Sequence, residues 1–357
     1  MNKLLPKLTV ASFILGLMQQ AYSADVGVYY YPGWRASEDK NTWNVIRANG
    51  GLTPILGFYD VENKRDLDQQ FAWMNRFGIN YVVFDWYANV QRGGEYYSPA
   101  VSNFIESKTR GNLKFSIYWD NSVADIASLS KFDRLVTYWA TTYASNPEYY
   151  RPFGKAVVFI GSPKNFEGAA AKIGVSTRSL LLRANTIAKQ KGAGGFFFVA
   201  ISQAIGDEVR SLQVAGYDAI STYNYQYGPT GTERGVGRSL SHSYAELTAG
   251  YKENWNWMIG NSPIPYLVPL TSGWDRKPWG GSQDAAHDNS VSSPDSFEQH
   301  LRDAKKLVDE FPSKTLSTVV ICCWNEYGEG SIIEPTKQFD FSYLQRVKTV
   351  FATEKTK

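Results

Sequence analysis

From residue 24 onward the chain alternates between two spacings of apolar residues. Short β-branched or aromatic runs break off at polar, glycine or aromatic positions, and between them lie stretches with apolar residues three and four apart. The first pattern is that of strands buried on both faces, the second that of helices with one apolar stripe. Strands are expected at 26–31, 81–84, 113–118, 156–160, 196–200, 219–221, 266–270 and in the run that begins at Thr318. Helices are expected between them. Residues 66–77 carry Leu67, Phe71, Met74 and Phe77 at spacings of four, three and three, with Gly78 as the stop. Others are expected at about 123–144, 177–189 and 208–214, in a segment that ends near Trp257, and at 297–311 and 341–351. Eight strands alternating with helices, and no proline-rich or charged linker, predict a single α/β domain of the (β/α)8 TIM-barrel class. Long loops would cover its C-terminal face. An open doubly wound sheet would need a glycine fingerprint after its first strand, and none is present. Gly192-Ala193-Gly194-Gly195 precedes a strand instead of following one and reads as a helix-to-strand turn.

The first 23 residues break the pattern. Lys3 and Lys7 form a basic start, residues 8–18 are mostly apolar, and Ala21-Tyr22-Ser23-Ala24 offers small residues for cleavage. Residues 1–23 are therefore expected to be a secretory signal peptide and 24–357 the barrel, placing the protein outside the cytoplasm as a secreted or bacterial periplasmic protein. Removing the two lysines leaves 35 basic against 34 acidic residues, so the formal net charge of +3 falls to +1. Such balance favours neither nucleic acid nor a membrane as partner. His242, His287 and His300 lack metal-ligand spacing, and neither a metal nor an organic cofactor is expected. Adjacent strand residues point to opposite faces, so Cys322 and Cys323 are expected to pack in the core as separate thiols, without a disulfide.

The eighth apolar run supplies the chemistry. It reads TVVICCWNEYGEGSIIEP, with Glu326 and Glu329 directly after the strand. A barrel of this class gathers its site at the C-terminal ends of the strands. The other strand-end candidates are Tyr31, Asp60, Asp85, Trp119, Asp120, Tyr223, Asn224, Trp274, Asp275 and Asn325. Aromatic residues make up 15% of the chain, with 11 Trp and 23 Tyr. Several lie in polar loops, where flat rings suit the C–H faces of sugars. Glycoside cleavage needs a proton donor and a second carboxylate, and two glutamates on one short turn could supply both, one of them with a raised pKa. Pairing Asp85 or Asp120 with one glutamate is an alternative. Glu326 and Glu329 are expected to face one cleft with Trp119 and Trp274 on its walls.

The strand-eight motif WNEYGEGSIIEP resembles the signature of glycoside hydrolase family 99 and its WbsX-like relatives. VGVYYYPGW, LGFYD, FGINYVVFDWY, YYRPFGKAVVFI and LVPLTSGWD match in the same order across nearly the whole chain after residue 23. The resemblance implies a retaining, endo-acting hydrolase of α-mannoside-type or related linkages in an oligo- or polysaccharide, working through a 1,2-anhydro sugar. It implies Glu326 as the base on the sugar 2-hydroxyl and Glu329 as acid/base, with Asn325 and Glu334 in support. Tyr327, Gly328 and Arg276 depart from the family pattern near the substrate. Two rivals remain: a non-catalytic glycan-binding or polysaccharide-assembly protein on the same barrel, and a double-displacement glycosidase with an aspartate nucleophile.

Overall fold

The computed structural model describes residues 24–37, 41–88, 95–96, 98–122, 126–230 and 238–352. The expected signal peptide, the start of the helix expected at 123–144 and most of the glycine-rich 228–237 connection lie outside them. Eight parallel strands form the sheet: β1 Asp25–Tyr30, β2 Tyr81–Ala88, β3 Lys114–Asp120, β4 Ala156–Ile160, β5 Phe196–Ile201, β6 Ala219–Ser221, β7 Val268–Thr271 and β8 Thr318–Cys322. Neighbours pair from β1 through β6, β7 pairs with β8, and β8 returns to pair with β1. The last gap closes where Ile220 bridges Tyr266 in parallel and the Leu267 amide donates to the Ile220 carbonyl at 2.9 Å. The result is a (β/α)8 barrel.

The main helices are α1 Lys64–Arg76, α2 Ser98–Glu106, α3 Leu129–Tyr138, α4 Thr177–Gln190, α5 Gly206–Ala215, α6 Tyr244–Asn261, α7 Pro294–Glu310 and α8 Ser342–Phe351. Each follows the strand of the same number. Local chemistry sets their starts. Asn63 caps α1 by accepting from the Arg65 amide, and Ser293 and Ser296 form a reciprocal capping box on α7. One helix escapes the periodicity: Pro163–Lys172, inserted before α4, begins with Ser162 accepting from the Asn165 amide and proline in its first turn.

Strand parity divides the apolar residues into two cores. On β2, Val82, Phe84 and Trp86 pack outward against the helices, while Tyr81 and Val83 point into the barrel. On β3, Phe115, Ile117 and Trp119 go outward and Tyr118 inward. The inner core is floored by Tyr81 stacked on Tyr150 at 3.9 Å, with the Tyr150 hydroxyl donating to Asp25 at 2.8 Å. Only glycine fits above that ring, because a Cβ on Gly27 would stand 2.2 Å from Tyr81 Cζ. Higher up, Tyr29 packs edge to face on Tyr118, and both rings lie tilted against Tyr223 under the C-terminal rim.

Cys322 and Cys323 depart from expectation. Their peptide bond is cis, which brings the Cα atoms to 3.0 Å and both side chains to the same side, and their sulfurs are joined in a disulfide. The rule that neighbours diverge holds for extended trans backbone, and the chain leaves that state at this bond. Both residues are fully buried in the inner core.

Candidate active site

Immediately after the disulfide, Asn325–Glu326 pairs antiparallel with Ser331–Ile332, making a small hairpin on the end of β8. Its turn carries Glu329, whose amide donates to the Glu326 carbonyl at 3.1 Å. Two neighbours hold the hairpin. The loop after β7 is pinned by the Asp275 amide donating to the Glu329 carbonyl at 2.7 Å. The loop after β1 is clamped by Asn325, whose Oδ1 accepts from the Tyr31 amide at 2.8 Å and whose Nδ2 donates to the Tyr31 carbonyl at 2.9 Å. Trp34 Nε1 donates to the Asn325 carbonyl at 2.9 Å, and its ring stacks on Trp43 at 3.9 Å.

Glu326 and Glu329 are half-buried, whereas Trp324, Asn325 and Tyr327 beside them are buried. Burial among protein atoms raises both above the ordinary carboxylate range, and the Glu329 charge adds to the rise at Glu326. Arg276 opposes the rise at Glu329, and a hydrogen bond from Tyr223 opposes it at Glu326. Charge on one disfavours charge on the other, so the pair favours a singly protonated state, and the Tyr223 hydrogen bond favours the charge on Glu326.

Tyr223 joins this pair to a third carboxyl. Its hydroxyl lies 2.9 Å from Glu326 Oε1 and 3.0 Å from Asp85 Oδ2. One phenol proton is shared between the two acceptors. Burial and the nearby Glu326 charge hold Asp85 well above the usual carboxylate range, and the hydrogen bond from Tyr223 opposes that rise. The Tyr223 hydroxyl is thus the shared donor that links Glu326 to Asp85. Asp85 Oδ1 is buried without a partner. Asp120 contributes to the same negative field from the end of β3, while its Oδ1 accepts from the Ser122 amide at 2.9 Å.

The remaining sequence candidates are placed as follows. Tyr31 is half-buried on the rim, edge-on to Trp34 at 5.5 Å. Asn224 is buried, accepting from the Tyr251 hydroxyl at 2.6 Å and donating to Ser331 Oγ at 3.3 Å. Asp60 organises its own loop by accepting from the Ala36 and Glu62 amides. Asp275 accepts from the Lys277 amide at 2.9 Å. Asn325 is fully buried with its amide spent on the β1 loop. Trp119 and Trp274 do not wall a shared cleft with the glutamates. Trp119 faces outward against Trp139 and Phe166, and Trp274 is buried, stacked on His287 at 5.2 Å. The sequence reading also passed over Tyr87 and Tyr118. Both lie within the field of Asp85, and their inward parity on β2 and β3 was the available signal. Among the described residues no group of three or more His, Cys, Asp or Glu could hold a metal, and no helix is long and apolar enough to cross a membrane.

A closed barrel whose eighth strand delivers two proximate glutamates to the C-terminal rim defines a (β/α)8 protein with a carboxylate pair where this fold carries its site. The chain belongs to the WbsX family: the profile described as Glycosyltransferase WbsX matches residues 127–347. Among solved structures it is similar to a GH99 endo-α-mannosidase from Bacteroides thetaiotaomicron, with a TM-score of 0.66 and 17% identity over 91% of this chain and 96% of that one. A glycoside hydrolase-like protein gives a TM-score of 0.64 and 15% identity over 99% of this chain and 98% of that one. No curated protein sequence matches the chain.

Proposed function

We propose that this protein is a secreted glycoside hydrolase that cleaves α-mannoside-type or related linkages within a polysaccharide, with retention through a 1,2-anhydro sugar. The observation that carries this reading is the half-buried Glu326–Glu329 pair on one hairpin turn, with Glu326 tied through Tyr223 to Asp85. In the first step Glu326 accepts the 2-hydroxyl proton while that oxygen attacks the anomeric carbon. The glycosidic C–O bond breaks, and Glu329 gives its proton to the departing oxygen. In the second step Glu329 accepts a proton from water as the water oxygen attacks the anomeric carbon. The three-membered ring opens and the 2-oxygen recovers its proton from Glu326. Two inversions give net retention, and each carboxyl ends as it began. Asp85, Tyr223 and Asp120 border the pair as candidate contacts to sugar hydroxyls. A disulfide in the inner core accords with an oxidising compartment and hence with export.

The family description favours a second reading, in which the same barrel serves polysaccharide assembly and a sugar hydroxyl takes the place of water. The two readings differ in their acceptor. Wild type, Glu326→Gln and Glu329→Gln are incubated with α-mannan and a panel of bacterial polysaccharides, and products are separated by size. Shortened glycans from wild type that disappear in both variants support hydrolysis. Lengthened products point to transfer, and cleavage that survives both substitutions moves the chemistry to Asp85 or Asp120.

A further inference from the structure

Among the described residues, Trp279 is the aromatic side chain that stays exposed, at 45%. A lone surface aromatic has no special meaning. Its position gives this one a meaning. The indole lies on Gly328, the residue between Tyr327 and Glu329, and a Cβ there would stand 1.7 Å from Nε1 and 2.1 Å from Cδ1 of the ring. The glycine thus lets a flat ring rest against the backbone of the turn that carries both glutamates.

The ring is also held by its loop. After β7 the chain crosses the β8 hairpin to reach the β1 loop, where Asn49 Nδ2 donates to the Pro278 carbonyl at 3.2 Å. Buried Asp288 ties the loop to itself, accepting from the Arg276 amide at 3.0 Å and the Ser282 amide at 2.8 Å. The Asp275 amide fixes its start to Glu329, and Trp279 ends a 3-10 turn whose amide donates to the Arg276 carbonyl at 2.9 Å. A wide aromatic surface left in water, on a pinned loop beside the acid/base carboxyl, is the form a sugar-stacking surface takes, because ring C–H groups of a pyranose pack on an indole face while its hydroxyls stay solvated.

We propose that Trp279 is the platform of a pyranose-binding subsite beside Glu329, holding the sugar on the departing side of the scissile bond. The placement on that side depends on the acid/base role given to Glu329 above; the sugar-binding role depends on the geometry alone. Gly328 is the residue that makes the subsite possible, since any side chain there displaces the indole.

The test uses the Glu329→Gln protein, which binds without turnover, and α-mannan oligosaccharides of graded length measured by calorimetry. Trp279→Ala is expected to weaken binding of the longer oligosaccharides about tenfold or more. Trp279→Phe, which keeps a flat ring, is expected to stay within about threefold. In the otherwise wild-type enzyme, Trp279→Ala is expected to lower kcat/KM on the oligosaccharides by a larger factor than on a glycosyl fluoride, whose leaving group has no sugar. Gly328→Ala should reproduce the binding loss, with melting temperature confirming that each variant is folded. Equal affinity of Trp279→Ala and parent for every length overturns the platform and leaves the hydrolase reading intact. Binding that depends on Trp279 without any cleavage sustains the platform and overturns hydrolysis. A parent that binds none of the oligosaccharides overturns the platform for this glycan class.

Discussion

Two kinds of glutamate stand within one short stretch. Glu334 is buried, with Oε2 accepting from the Tyr59 hydroxyl at 2.9 Å and from the Tyr327 hydroxyl at 3.0 Å. Glu326 and Glu329 are half-buried on the hairpin turn, and Tyr223 is the phenol that reaches Glu326. Burial raises all three above the ordinary carboxylate range, Glu334 to about 8. A raised pKa alone therefore does not mark a catalytic group here. What separates them is access: Glu334 joins the β1 and β8 loops through two tyrosines, whereas the pair on the turn can meet a substrate.

The largest effect should come from breaking that contrast directly. Glu326→Gln and Glu329→Gln should each lower kcat by about 10²–10⁴, the usual range for losing a general acid or base, with little change in melting temperature. Glu334→Gln should do the reverse, retaining most turnover while lowering the melting temperature. Parallel rate and melting measurements on the three variants read both. Comparable activity losses in all three would erase the distinction.

Tyr223→Phe sharpens the comparison from the other side. It removes the donor shared by Glu326 and the buried Asp85. The expected result is a drop in kcat of about ten- to a hundredfold, together with an upward shift of the pH at which the base ionises, since the lost bond was lowering Glu326. A pH–rate profile measures both, and a rate loss with an unmoved profile would confine Tyr223 to packing.

A smaller effect concerns stability. The folded pKa of Glu334 lies above its unfolded value, so the folded state holds the proton more tightly. Its contribution is fully present below about pH 4.5 and is lost as pH rises through about 8. Melting temperature followed across that window should fall with pH, and Glu334→Gln should flatten the slope. A slope unchanged by the substitution would place the titration elsewhere.

The barrel was readable in the chain because each strand is a compact apolar run and α1, α3, α4, α6 and α7 each begin at a capping Asn or Ser. Predicted and observed bounds coincide at Ala156–Ile160 and Ala219–Ser221, where polar or glycine residues stop the run at once. The position of the glutamate turn was readable for the same reason, since Trp324-Asn325-Glu326 ends the β8 run abruptly. Side-chain direction was harder. Trp119 shares parity with Phe115 and Ile117, so it belongs to the outer core; treating it as a strand-end residue hid that rule. Asn325 sits beside Glu326 in sequence but turns to the backbone of Tyr31, 294 residues away, a partnership that no local pattern encodes. The Cys322–Cys323 bond escaped because extended backbone forbids it, and the backbone is not extended there. Ser162-Pro163 at the start of the extra helix did carry a legible signal, a capping serine followed by proline.

The measurement that tests the account most directly is kcat/KM against pH on a cleaved glycan, since the account requires one proton on the Glu326–Glu329 pair. It predicts a bell with its optimum near neutral pH, the acid limb set by loss of the base and the alkaline limb by loss of the acid, and no bell in either glutamine variant. A rate that climbs or falls in one direction throughout pH 5–9, or a bell that persists in Glu329→Gln, would contradict it.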